Sequence, residues 1–187
     1  IESLLKVIEA ELYIREKFHG VKKHTQIMGN ISVIKPDEDV YLNINQNSLE
    51  IILYTFIINA IDVFEKSNSF KLCEIKIVLE KSTQNKKWLS IKVLNTGTID
   101  RKKLKLIEDM FIKIKNGVSV SGSDFNFQKQ RSAGHTGLSL FIAAKFSSAF
   151  YIPNGKGESK ETGYLNVLSS NGWTEFSVVL PMKINNK

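Results

Sequence analysis

One segment of this 187-residue chain reads Phe56-Ile57-Ile58-Asn59-Ala60-Ile61-Asp62 and lies within a long apolar run. The run predicts a buried helix over residues 48–65, with Asn47 as its cap and Glu50 completing a capping box. A primary amide inside such a helix must find partners. Asn59 is therefore either hydrogen-bonded to a neighbouring strand or an oxygen ligand for a hard cation such as Mg²⁺.

A second motif ends a predicted strand. Residues 88–94 alternate in the manner of a β-strand, and Asn95-Thr96-Gly97 breaks the alternation. By itself this motif is compatible with an ordinary turn.

The third motif is Gly134-His135-Thr136-Gly137-Leu138-Ser139-Leu140, which opens a predicted helix over residues 136–146. A helix N-terminus offers N–H groups and a positive dipole end to an anion, and glycine lets the backbone approach a phosphate closely. The alternative is a flexible loop before a helix. No Gly-Lys-Ser/Thr follows, and the preceding residues 116–133 are polar, so the motif is neither a P-loop nor a dinucleotide fingerprint.

In this order the three motifs indicate an ATP-Mg site. They resemble the ATP-binding domain shared by DNA gyrase, heat-shock chaperones, sensor histidine kinases and MutL. Residues 56–62 look like the N box, residues 93–97 like the first glycine box, and residues 134–140 like the second glycine box in its histidine kinase form. Residues 163–169 and 174–181 resemble the closing hairpin of kinase domains, and Met110-Phe111 is the candidate F box.

The resemblance implies a Bergerat-type α+β fold, a two-layer sandwich with helices on one face of a mixed, mostly antiparallel sheet. It implies ATP and Mg²⁺ as ligands. Asn59 would hold Mg²⁺, and Asn95 would contact adenine with Gly97 closing the turn. Lys129 or Arg131 of the lid, residues 116–133, would reach the γ-phosphate. The phosphates would lie against the second glycine box, namely Gly134, His135, Thr136, Gly137, Leu138 and Ser139, with backbone N–H groups of Thr136, Gly137 and Leu138 as donors. No side chain is identified as an acid or base.

Five positions depart from the patterns of the family or of its branches. Asn95 replaces the aspartate that receives the adenine amino group, while Ile99 and Ser139 replace glycines. Thr55 occupies the place of the glutamate base of gyrase and MutL, and a hydroxyl cannot serve as a base near pH 7. Kinases need no such base, because the phosphoacceptor histidine is the nucleophile. Asp62 replaces a basic residue, and together with Asn95-Thr96-Gly97 it makes the chain resemble most the citrate-sensing and peptide-pheromone-sensing kinases.

The leading hypothesis is the catalytic domain of a sensor histidine kinase, a transferase of two-component signalling. The γ-phosphoryl group would pass to a histidine outside this segment, because neither His19 nor His24 is followed by an acidic residue. The implied partners are a histidine-bearing dimerisation domain, upstream or in trans, and a response regulator. One alternative is a degenerate nucleotide-dependent interaction domain, and another is a gyrase- or MutL-like ATPase.

Composition fits a globular domain in a reducing, cytoplasmic compartment. The single cysteine excludes an internal disulfide, and no apolar run approaches the ~20 residues of a membrane span. The net charge is +7, but the lysines are spread along the chain, which favours a solvated surface and attraction for ATP over nucleic-acid binding. The parent protein could still be membrane-anchored.

The chain order predicts an N-terminal helix and connection over residues 1–29 and the ATP-binding domain over residues 30–187. The amphipathic N-terminal helix should cover residues 2–18, with Ile8 among its inward side chains. The other predicted elements are strands at 30–34 and 40–43, a hairpin over 71–94, a helix at 102–114, and strands at 149–152 and 164–169 that pair with 174–180.

Overall fold

The structure is a computed structural model that describes residues 5–10, 13, 27–28, 30–37, 40, 42, 44–66, 74–82, 87–120, 138–152 and 161–182. The strands with defined bounds are β1 (Ile31–Ile34), β2 (Ile75–Lys81), β3 (Trp88–Thr96), β4 (Tyr151–Ile152), β5 (Glu161–Thr162), β6 (Tyr164–Ser170) and β7 (Trp173–Pro181). The helices are α1 (Gln46–Lys66), α2 (Arg101–Lys115) and α3 (Leu138–Ser148).

Five strands form one mixed sheet in the order β1-β2-β3-β7-β6. Only the β1–β2 pair is parallel; the pairs β2–β3, β3–β7 and β6–β7 are antiparallel. The helices pack on this sheet and on one another: α1 contacts β3 and α3, while α2 contacts β6 and α3. The predicted α+β fold with a mixed, mostly antiparallel sheet is confirmed.

The core lies between the helices and the sheet. Period-two alternation points Leu89, Ile91 and Val93 of β3 toward the helices, where all three are buried. Phe56 of α1 is fully buried and stacks on Phe176 of β7, with ring centroids 5.5 Å apart. This contact fixes how α1 lies across the sheet.

The N-terminal segment contributes to the same core. Residues 5–10 are helical, and Ile8 is fully buried in the core cluster as the amphipathic pattern predicts. None of the helices in the described part of the chain is long and apolar enough to span a lipid bilayer.

Two local predictions were wrong. The segment predicted to pair with residues 174–180 at 149–152 instead forms β4, which pairs with β5 in a separate two-stranded sheet. The reason is that β3 and β6 already occupy both edges of β7. The cap of α1 is Asn45 rather than Asn47, because the Asn45 Oδ1 accepts a hydrogen bond from the Ser48 backbone N–H at 3.2 Å.

The predicted strand at 40–43 falls partly outside the described residues. Within the described part, Leu42 forms an isolated antiparallel bridge with Met182. The helix predicted at 102–114 is α2, which begins after Asp100. The Asp100 carboxylate caps it by accepting hydrogen bonds from the backbone N–H groups of Lys102 and Lys103.

Candidate functional site

Three polar side chains lie along one flank of α1 and form what we call the polar stripe: Thr55, Asn59 and Asp62. Their spacing of four and three residues places them on neighbouring turns of one helix side. Thr55 and Asp62 are each only 6% exposed, and Asn59 is half-buried. This flank of an otherwise apolar helix therefore presents polar groups on three successive turns.

The side-chain amide of Asn59 has a buried atom that lacks a hydrogen-bond partner in the described part of the chain. This atom is Nδ2. A 180° flip of the Asn59 side-chain amide exchanges Nδ2 and Oδ1. The flipped amide places its oxygen at the buried position that Nδ2 now occupies. Amide oxygens are among the ligands that Mg²⁺ accepts. The chemistry of Asn59 is therefore compatible with a cation ligand, and that role remains a prediction.

The turn after β3 approaches α1 close to the polar stripe. Gly97 has φ of 110°, and a Cβ atom added to it would lie 3.0 Å from Cγ1 of Val63. Val63 stands one helical turn beyond Asn59 and directly follows Asp62. A side chain at position 97 would therefore press against α1, which explains the need for glycine here.

Asn95 lies at the end of β3 on the face that the helices cover. It follows Ile91 and Val93 in the strand alternation and is 2% exposed. Its Nδ2 donates a hydrogen bond to the Thr96 carbonyl oxygen at 2.9 Å. With the nitrogen held in this way, Oδ1 is the atom of the amide that is suited to accept from a ligand.

Hydrogen bonds with the hairpin of β6 and β7 hold the Gly97 turn in place. The Gly97 N–H donates to the Gly172 carbonyl at 2.7 Å, and the Thr174 hydroxyl donates to the Gly97 carbonyl at 2.9 Å. The Ile99 N–H donates to the Ser169 hydroxyl at 2.9 Å. These supporting residues were missed by sequence reasoning. The only signal for them was the pair of hydroxyl residues near the tip of the predicted hairpin.

The helix that follows the second glycine box packs against the helix that carries the polar stripe. The described part of α3 begins at Leu138, whose side chain is half exposed, and Ser139 is also exposed. α1 thus contacts both the turn after β3 and α3. The predicted site residues that lie outside the described residues are Lys129, Arg131, Gly134, His135, Thr136 and Gly137, and His19 and His24 lie outside them as well.

The candidate F-box residues serve the core. Met110 and Phe111 of α2 are buried at 0% and 4% exposure within the cluster that α1 and the sheet complete. Ile99, at the position of a family glycine, also packs against this core. Packing in or against the core therefore explains why positions 99, 110 and 111 carry apolar residues.

A separate cleft of 470 Å³ opens between α2 and β6. Its lining is mixed in charge, with Arg101, Lys105 and Lys115 beside the acidic Glu108 and Asp109. Tyr164 and Asn166 also line it, and none of the described residues of α1 or β3 does. The Lys115 Nζ atom lies 3.7 Å from the centroid of the Tyr164 ring, and burial raises the pKa of the Tyr164 hydroxyl. This cleft is a rival location for a bound anion.

Comparison with known proteins supports the fold. No family model and no curated protein matches the chain. The catalytic domain of the histidine kinase ThkA superposes with a TM-score of 0.52 at 18% identity, over 96% of this chain and 90% of that one. The mycobacterial sensor histidine kinase MprB gives 0.51 at 14% identity, over 93% and 94%. The histidine kinase domain of the E. coli osmosensor EnvZ gives 0.50 at 14% identity, over 96% and 87%. The chain therefore has the fold of the histidine kinase catalytic domain.

Proposed function

We propose that this chain is the ATP-Mg-binding catalytic domain of a sensor histidine kinase, which transfers the γ-phosphoryl group of ATP to a histidine outside the segment. The observation that carries the proposal is the meeting of the polar stripe with the Gly97 turn. It places the amide expected to hold the cation and the amide expected to meet adenine on two elements that touch at Val63. The fold similarity to histidine kinase domains supports the same reading.

The adenine end would lie at Asn95. Its Oδ1 would accept from the adenine amino group, the part that a carboxylate plays in the family pattern. The hydrogen bond from Nδ2 to Thr96 keeps the amide in the orientation that this contact needs. Gly97 would close the turn behind it.

The phosphate end would lie between the polar stripe and the second glycine box. Asn59 would hold Mg²⁺, which when bound neutralises negative charge on the β- and γ-phosphates. The backbone N–H groups of Thr136, Gly137 and Leu138 would orient the phosphates, and Lys129 or Arg131 would meet the γ-phosphate. Among the described residues no three His, Cys, Asp or Glu side chains cluster as an all-protein metal cage would need. A site with the Asn59 amide as its proposed protein ligand suits a cation whose remaining ligands are water and substrate phosphates.

The buried Thr55 favours a kinase over an ATPase. It occupies the first position of the polar stripe and offers a hydroxyl where a hydrolase would need a base. The domain would then contribute positioning and electrostatic stabilisation, and the nucleophile would come from a histidine-bearing partner. A dimerisation domain, a response regulator and a cytoplasmic location belong to this proposal.

Changing Asn95 to aspartate should move stability and affinity in opposite directions. Aspartate cannot donate to the Thr96 carbonyl, so the free energy of unfolding should fall by about 1–3 kcal/mol, the usual penalty for an unsatisfied buried group. The affinity for Mg-ATP should rise, because a charge-assisted hydrogen bond to adenine is roughly twice as strong as a neutral one. Chemical denaturation and calorimetric titration measure the two effects. Weaker ATP binding by Asn95→Asp would show that this side chain does not meet adenine as proposed.

The transfer reaction itself is tested by incubating the chain and its histidine-bearing partner with ATP labelled at the γ-phosphate. We expect label on a histidine and little hydrolysis when the partner is omitted. Steady hydrolysis without the partner would favour the ATPase alternative. Binding of ATP with no transfer to any partner would favour the degenerate interaction domain.

A further inference from the structure

We propose that Asp62 is a second ligand of the divalent cation, beside Asn59, and that it makes nucleotide binding depend on that cation. This inference rests on the proposed function, because it places Mg-ATP at the polar stripe. It adds a carboxylate to a site for which the motifs indicate only an amide.

The position of Asp62 on α1 suits a shared ligand. Residues three apart on a helix have Cβ atoms about 5–6 Å apart on the same side, so the two side chains can converge on one ion. The Asp62 side chain is 6% exposed and directly precedes Val63, the residue that meets the Gly97 turn. It therefore lies at the end of the polar stripe where α1 and β3 come together.

The negative charge of Asp62 would make ATP binding depend on the bound cation. A carboxylate oxygen is a preferred ligand of Mg²⁺, and a bound divalent ion is a large local positive charge. Without the cation, the same carboxylate would repel the phosphates of ATP through a medium that screens charge less than water does. The site should therefore accept Mg-ATP and reject metal-free ATP.

The decisive variant is Asp62→Asn, which keeps the size of the side chain and removes its charge. The affinity for ATP is measured by calorimetry once with excess Mg²⁺ and once with EDTA. Affinity for Mg-ATP should fall at least about tenfold, because removing even a group that only orients a metal ligand costs about 10–100-fold. Affinity for metal-free ATP should instead rise. A carboxylate with a purely structural role would shift both affinities in the same direction.

Asp109→Asn is the matched control. Asp109 is exposed on α2, where it lines the cleft between α2 and β6, so this variant makes the same change in net charge away from α1. It should leave both affinities unchanged. If Asp62→Asn shifts both affinities alike, or shifts neither, the assignment of Asp62 is overturned while ATP binding at the site stands. If the unmodified chain binds ATP under neither condition, the proposed function falls, and the assignment falls with it.

If Asp62→Asn shows no cooperative thermal transition and so does not fold, a second variant tests the same assignment. A thiolate prefers soft metals, so Asp62→Cys should bind Mg-ATP weakly and recover affinity when Cd²⁺ replaces Mg²⁺. The unmodified chain, which already contains Cys73, is the reference for unrelated Cd²⁺ effects. An equal response to Cd²⁺ in both proteins would overturn the assignment.

Discussion

Replacing Asn59 with alanine should weaken Mg-ATP binding at least tenfold, on the order of 1.4 kcal/mol or more, without loss of the fold. The physical reason is that the amide is the candidate cation ligand, whereas its buried Nδ2 has no hydrogen-bond partner among the described residues. Removing it therefore breaks no protein hydrogen bond at that atom. The melting temperature of the ligand-free protein should stay level or rise, while calorimetry shows the loss of affinity.

Asn166→Ala is a matched control for this prediction. Asn166 lines the cleft between α2 and β6, so the same chemical change is made at the rival location. We expect it to leave Mg-ATP affinity unchanged. Equal affinity of Asn59→Ala and the unmodified chain would remove Asn59 from the site. A loss confined to Asn166→Ala would move the nucleotide to the cleft.

Phe56→Ala should lower the free energy of unfolding by about 3–5 kcal/mol, the range for removing a buried aromatic ring. Phe56 is fully buried and stacks on Phe176, which ties α1 to the central part of the sheet. It lies one helical turn before Asn59, so loosening this contact should also weaken nucleotide binding. Urea unfolding followed by circular dichroism measures the change in stability.

Ile51→Ala makes a similar truncation on the same helix. Ile51 is 40% exposed, so less apolar area is lost and the free energy of unfolding should fall much less. Equal destabilisation by the two substitutions would contradict the placement of Phe56 in the core and Ile51 at the surface.

The sequence predicted what depends on local pattern. Apolar spacing indicated α1, and the alternation in residues 88–94 indicated β3, whose buried face the structure confirms. The N-terminal capping residue of α1 was harder to predict from the sequence. Asn45 and Asn47 can both cap a helix, and only the backbone geometry decides between them. Sequence reasoning identified Thr55, Asn59 and Asp62 as separate residues of interest. That they lie on one flank of α1 and are at least half-buried is known only from the structure.

Features that depend on distant segments could not be predicted. The pairing of β4 with β5 follows from the occupied edges of β7, which no local pattern reveals. The support of the Gly97 turn by Ser169 and Thr174 requires the register of the hairpin against β3. The phosphate-binding roles of residues 134–137 and of Lys129 or Arg131 remain predictions.

The central claim is the location of the nucleotide, and hydrogen exchange with and without Mg-ATP tests it most directly. Bound nucleotide should slow exchange in peptides that cover residues 59–63, 95–99 and 116–138. The last of these includes the lid and the second glycine box, where the proposal locates the phosphates. Exchange in residues 164–166, at the cleft between α2 and β6, should not change. Protection at that cleft, or equal exchange of the three expected segments with and without nucleotide, would contradict the account.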